Sequence, residues 1–203
     1  MTFDNLFSFN RIIATRVSDT LVKTPLTPNQ LTTLSLAAGL ASAAAMAHGT
    51  RAWLILGALL LQTAFILDNC DGEIARRKNL KSRFGMWYDF IVDVLVDCAL
   101  WTGLCIGALA QGVTPLVVPV AVAAAAGSLS LFWVVVSRRL GGGSGKEPSP
   151  TKNPFLSALH VLGHDGDPSL LVWIFALAGY PGWLLLAGCV YINFLWVYTA
   201  LRR

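Results

Sequence analysis

The chain has 203 residues, 55% of them hydrophobic and 13% charged, with a mean hydropathy of +0.62 and a formal net charge of +4. An ordinary soluble domain carries about a quarter charged residues, so the composition excludes that class and predicts an all-α, multi-pass membrane protein of one domain, residues 1–203. Nucleic acid is not the expected partner of the positive charge: the basic residues flank apolar stretches rather than alternating with exposed aromatics, and anionic lipid is the simpler attraction.

Residues 1–24 contain no uninterrupted apolar run ending in small residues, so they do not read as a cleaved secretory signal. They read as an interfacial amphipathic helix: Phe3, Leu6, Phe7, Phe9, Ile12, Ile13 and Val17 can share one face, leaving Arg11 and Arg16 for lipid headgroups. Residues 25–203 then carry six apolar runs, near Leu31 to His48, Ala52 to Ala75, Phe84 to Ala110, Val113 to Val136, Pro168 to Tyr180 and Gly182 to Leu201. A span needs about 20 residues, which five of these supply; the fifth run is short because His164, Asp165, Gly166, Asp167 and Pro168 interrupt it. Residues 141–154, rich in glycine and proline, are expected to form a loop between the fourth and fifth spans. Cys70, Cys98, Cys105 and Cys189 lie in or beside apolar runs without metal or redox spacing, and read as small buried hydrophobes.

Six crossings put both termini and the loops after spans two and four on one side. Of the 15 lysines and arginines, all but Arg51 fall on that side, so the positive-inside rule predicts that it is cytoplasmic.

Five of the 11 acidic residues, Asp68, Asp71, Asp89, Asp93 and Asp97, lie in the second and third spans. Each costs about 2.5–3.5 kcal/mol near a bilayer centre, so something must compensate them. Asp68 and Asp71 are spaced i, i+3, and Asp89, Asp93 and Asp97 i, i+4, i+8, so each set occupies one helix face. The two spans are joined by a short basic loop and run antiparallel. Counted inward from that loop, Asp71 and Asp89 lie about 6–8 Å deep and Asp68 and Asp93 about 12 Å deep, so four carboxylates can converge. That oxygen-only set suits Mg²⁺ or Mn²⁺, and two ions sharing ligands would make a phosphoryl-transfer site. Ion pairing with Arg76 and Arg77 cannot neutralise four or five aspartates. A cation or proton relay in a transporter is the competing reading.

The segment Asp68-Asn-Cys-Asp71-Gly72-Glu-Ile-Ala75-Arg76, followed by eight residues to Gly85, three to Asp89 and three to Asp93, resembles the signature of the CDP-alcohol phosphotransferase family at every fixed position. Eight such identities would coincide by chance on the order of once in 10¹⁰ starts. The resemblance implies six transmembrane helices behind an N-terminal interfacial helix, a homodimer, and transfer of a substituted phosphate from a CDP-alcohol to a hydroxyl acceptor with release of CMP, in phospholipid biosynthesis. It implies Asp68, Asp71, Asp89 and Asp93 as metal ligands, with Asp93 also the general base. Gly72 and Ala75 would let a nucleotide lie against the helix backbone, Arg76 would meet a donor phosphate, and Ser82 matches a donor-contacting position. Asn29 and Thr32, in the weakly matching stretch Thr27 to Thr32, either complete the cytidine pocket or belong to a plain helix cap.

Asp97 lies outside the signature and is expected to bond to another helix; Glu73 is expected to face the surface without chemistry. Arg138, Arg139, Lys146 and Lys152 are read as solvated anchors or as acceptor-phosphate ligands. His164, Asp165 and Asp167 are read as acceptor contacts or a helix cap. CDP-diacylglycerol is the first expectation for the donor and a soluble CDP-alcohol such as CDP-inositol the alternative; the acceptor is a lipid or polar alcohol that no pattern in the last three spans identifies.

Overall fold

The computed structural model describes residues 9–140 and 169–201, which form seven helices in chain order: α1 (Phe9–Leu21), α2 (Pro28–Ala47), α3 (Arg51–Arg77), α4 (Arg83–Ala110), α5 (Val117–Leu140), α6 (Ser169–Ala178) and α7 (Pro181–Leu201). No strand occurs among the described residues. Five of the helices, α2, α3, α4, α5 and α7, are long and apolar enough to cross a membrane, so the chain is an integral multi-pass membrane protein. The described part of the expected fifth span, α6, has 10 residues and is not one of those five. The loop at 141–154, with Lys146 and Lys152, and the His164, Asp165 and Asp167 cluster lie outside the described residues.

Each boundary near the acidic helices has a local cause. Helix α2 starts at a capping box: the Thr27 hydroxyl accepts from the Gln30 amide at 3.4 Å, Gln30 Oε1 accepts from the Thr27 amide at 2.9 Å, and Pro28 fills the first helical position. Helix α3 ends with Asn79 in the left-handed region (φ 55°), where the Asn79 and Leu80 amides donate to Arg76 and Ala75 carbonyls. Ser82 then caps α4 by accepting from the Gly85 amide at 2.9 Å. Five residues therefore turn the chain between two long antiparallel helices. At the other end of α4, Gly112 (φ 76°) closes a similar turn with the Val113 amide on Ala108, which delays the next helix to Val117 rather than the expected Val113.

Helix α2 packs against both α3 and α4, α5 against α4 and α7, and α6 against α3 and α7. Lipid offers little hydrophobic drive for helices to associate, so close backbone approach carries this packing. A side chain on Gly103 would strike the Ala43 carbonyl, one on Gly107 the Met46 carbonyl, and one on Gly39 would meet Val96 at 2.6 Å. Larger side chains such as Leu59, Ile106, Val122, Trp133 and Val190 face outward, where lipid would cover them.

Helix α1 lies against α3. Ala14 and Ser18 are the buried positions, flanked by Val17 and Leu21, and they cover Cys70 and Ile74. The Cys70 thiol donates to the Ala14 carbonyl at 3.4 Å. Small residues sit here because α1 approaches α3 closely, a partner that the helical periodicity of α1 alone does not reveal.

Candidate active site

The tight α3–α4 turn sets the acidic faces of the two helices opposite each other. Asp68, Asp71 and Asp89 each present a carboxylate oxygen within 4.8 Å of the others. Asp93 is not one of that trio but lies beside it, its carboxyl within hydrogen-bonding reach of Asp68. The expected convergence of four carboxylates therefore resolves into three plus one. Like charges at this separation must be relieved by retained protons or by a cation between them. The ion pairs of Arg76 and Arg77 among the described residues are with Glu73 and Asp19, not with this set. A six-coordinate Mg²⁺ with bonds of about 2.1 Å sets neighbouring oxygens about 3 Å apart and opposite ones about 4.2 Å apart, so the trio fits such an ion after a small closure. Thr32, buried on α2, orients the set by donating its hydroxyl to Asp71, with the Pro28 carbonyl as a second acceptor at 3.2 Å.

Two cavities meet at this wall of carboxylates. One, of about 270 Å³, lies between α2, α3, α4 and α5 and is lined by Ser35, Phe65, Asp68, Phe90, Asp93, Asp97, Ser128 and Phe132 among others. The other, of about 420 Å³, lies on the side of the α3–α4 turn and is lined by Asn29, Thr32, Asp71, Gly72, Ala75, Arg76, Lys81, Ser82, Arg83, Gly85 and Asp89, with Pro28, Leu80 and Met86. All six residues expected to contact the donor are in this second list. Asp71 and Asp89 thus face one chamber, Asp68 and Asp93 the other.

The small residues of the second pocket divide by cause. A side chain on Gly85 would press on Ser82 Oγ at 3.0 Å and Asn29 Oδ1 at 3.1 Å, so the protein's own packing requires that glycine. At Gly72 the nearest atom to an added Cβ is Arg76 Nη1 at 3.5 Å, an ordinary contact. Nothing within the described protein demands a bare backbone there, which leaves the pocket as its beneficiary.

Several expectations change in detail. Asn29 is not the cap of α2, which is Thr27; its side chain reaches across to Gly85. Thr32 lines the pocket but spends its hydroxyl on Asp71. Ser82 uses its oxygen to cap α4 while still bordering the pocket. Arg76 donates to Glu73 through Nη2 at 2.7 Å and Nε at 3.2 Å, a partnership that the expected surface position of Glu73 did not suggest. Its i, i+3 and i, i+4 spacing to Arg76 and Arg77 was the available signal. Lys81 and Arg83, read only as charges flanking a span, join Arg76 at the pocket and make it cationic. Asp97 lines the first cavity together with Ser128 of α5, whose hydroxyl accepts from Trp101 Nε1 at 3.0 Å.

Comparison with known proteins identifies the family and the fold. The CDP-alcohol phosphatidyltransferase family model matches residues 25–191. A bifunctional IPC transferase and DIPP synthase of Aquifex aeolicus is 41% identical over 97 residues, 48% of this chain and 22% of that protein. An archaetidylinositol phosphate synthase of Pyrococcus horikoshii is 30% identical over 96 residues, 47% of this chain and 50% of that protein. The chain thus spans half or less of the length of these curated relatives. Among solved structures, Mycobacterium tuberculosis phosphatidylinositol phosphate synthase with CDP-DAG bound superposes with a TM-score of 0.60 at 24% identity, covering 95% of this chain and 94% of that one. The same enzyme in complex with manganese and citrate gives 0.59 at 24%, covering 93% and 89%. At that identity the likeness speaks for the fold, while the signature and the match over most of the chain speak for descent: the protein belongs to the CDP-alcohol phosphatidyltransferase family.

Proposed function

We propose that this chain transfers a substituted phosphate from a CDP-alcohol to a hydroxyl acceptor, releasing CMP, in phospholipid biosynthesis. The observation that carries the reading is the carboxylate wall between a cationic pocket on one side and a second cavity on the other. A displacement at phosphorus brings nucleophile and leaving group to opposite faces of the reacting atom, and two chambers sharing one acidic wall suit that requirement.

In this reading the cytidine diphosphate occupies the pocket of Asn29, Thr32, Gly72, Ala75, Arg76 and Ser82, with its phosphates against Arg76 and the basic rim of Lys81 and Arg83. Asp68, Asp71, Asp89 and Asp93 would hold divalent metal, Mg²⁺ or Mn²⁺ and two ions. Bound there, the metal neutralises charge developing on the diphosphate oxygens. Asp93, outside the close trio and open to the second cavity, accepts the proton of the acceptor hydroxyl as its oxygen bonds to phosphorus and the bond to CMP breaks. Gly72 and Ala75 keep the α3 backbone accessible to the nucleotide. The manganese complex of the neighbouring synthase supports the choice of cation.

The donor's alcohol has two readings. The CDP-DAG complex of the structural neighbour favours diacylglycerol. The bifunctional IPC transferase and DIPP synthases, which share the higher identity, are not named for a phosphatidyl product, and this supports a soluble CDP-alcohol such as CDP-inositol. In both, the protein is one membrane domain of six spans with α1 at the interface, both termini and the donor pocket cytoplasmic, working as a homodimer. CMP release by purified protein, with Mg²⁺ or Mn²⁺, from CDP-diacylglycerol and from soluble CDP-alcohols against a panel of hydroxyl acceptors tests the proposal; no turnover of any CDP donor would sink it. Metal-coupled solute flux into vesicles without CMP formation would support a transporter instead.

A further inference from the structure

The cytoplasmic end of α3 carries a chain of ion pairs that the signature does not include. Glu73 uses its two oxygens separately: Oε1 accepts from Arg77 Nε at 2.7 Å, and Oε2 accepts from Arg76 Nη2 at 2.7 Å and Nε at 3.2 Å. Arg77 Nη1 reaches on to Asp19 Oδ1 of α1 at 2.5 Å. The order is therefore Asp19, Arg77, Glu73, Arg76, running from α1 to the pocket wall. Both contacts from Arg76 to Glu73 are on one edge of the guanidinium. The remaining nitrogen, Nη1, lies nearest bare Gly72, and both residues line the pocket.

We propose that Glu73 is a positioning residue, which holds Arg76 with one edge of its guanidinium turned to the donor's diphosphate, and that Asp19 steadies Glu73 through Arg77. This rests on the reading of Arg76 as a donor-phosphate ligand. An arginine more than half exposed, as Arg76 is at 57%, otherwise samples many rotamers, and fixing it in advance reduces the ordering cost that binding would bear. Ion pairs this exposed add little to folding, so their effect should appear in ligand affinity. The second consequence concerns α1. That helix is also joined to α3 by the Cys70 to Ala14 bond, and the α1–α2 connection is held by Lys78 Nζ on the Thr24 and Leu26 carbonyls at 2.6 and 2.9 Å. Docking of α1 is thereby coupled to the donor pocket.

The test is equilibrium binding of CDP to the full chain in detergent with Mg²⁺ present, alongside Mn²⁺ affinity measured without nucleotide. Glu73→Gln should weaken CDP by roughly 3- to 10-fold and Asp19→Asn by roughly 2- to 3-fold, with Mn²⁺ affinity within about twofold of the parent. In an Arg76→Ala background, itself weaker for CDP, Glu73→Gln should add nothing, because its effect passes through Arg76. Unchanged or tighter CDP binding in both Glu73→Gln and Asp19→Asn, while Arg76→Ala weakens it, overturns the positioning role and spares the donor reading. Equal weakening by Glu73→Gln with and without Arg76 also overturns it. If Arg76→Ala leaves CDP affinity untouched, the donor-phosphate reading of Arg76 fails first.

Discussion

Thr32→Val isolates the hydroxyl that orients the acidic cluster. The residue is 3% exposed and its single hydroxyl proton serves two acceptors, the Asp71 carboxylate and, at 3.2 Å, the Pro28 carbonyl. Valine keeps the volume and branching, so α2 and its packing on α3 remain, but Asp71 loses its one bond from α2. A hydrogen bond to a charged group contributes about 1.5–3 kcal/mol. At about 1.4 kcal/mol per decade that is a 10- to 100-fold change in an equilibrium constant, and loss of a residue orienting a metal ligand falls in the same range. Mn²⁺ titration of the purified protein, by paramagnetic resonance of the free ion, should show affinity reduced about 10- to 100-fold in Thr32→Val and largely restored in Thr32→Ser. Thermal unfolding without metal should change far less. Parental Mn²⁺ affinity in Thr32→Val would refute the idea that α2 sets the geometry of Asp71.

Two glycines should respond in opposite ways. Gly103→Val drives a side chain into the Ala43 carbonyl and forces α2 from α4, so size-exclusion chromatography should show little monodisperse protein. Gly72→Val meets only Arg76 and should fold, but CDP binding, measured by calorimetry, should fall at least about tenfold as the pocket wall gains bulk. Ser128→Ala leaves the buried Trp101 indole without its acceptor, at a cost of about 1–3 kcal/mol; Tm in detergent should fall by about 2–10 °C.

Spans and acidic faces were legible because both depend on spacing within one helix. Asp68 and Asp71, or Asp89 and Asp93, share a face wherever the helix goes, and the short loop through Asn79 forces the two faces together. Partners on other helices were not legible in the same way. That Thr32 would bond Asp71, that Ala14 and Ser18 would be buried, and that Ser128 would accept from Trp101 all depend on how helices rotate against one another. Hydropathy is nearly silent on that rotation, since outward and inward faces are both apolar in a membrane. Gly103 and Gly107 look like Gly72 in the sequence; only the carbonyls opposite them separate packing from ligand access. Glu73 was hidden for another reason: its partners were visible at helical spacing, but the value of holding Arg76 appears only once the pocket is seen.

In the proposed reaction Asp93 acts from the second cavity while Asp71 helps to form the donor side. Asp93→Asn and Asp71→Asn should be compared in one preparation for metal-dependent CMP release and for CDP binding. Asp93→Asn should lose CMP release by at least about 100-fold while CDP binding stays within a few-fold, and Asp71→Asn should lose both. CMP release at the parental rate in Asp93→Asn would contradict this reading.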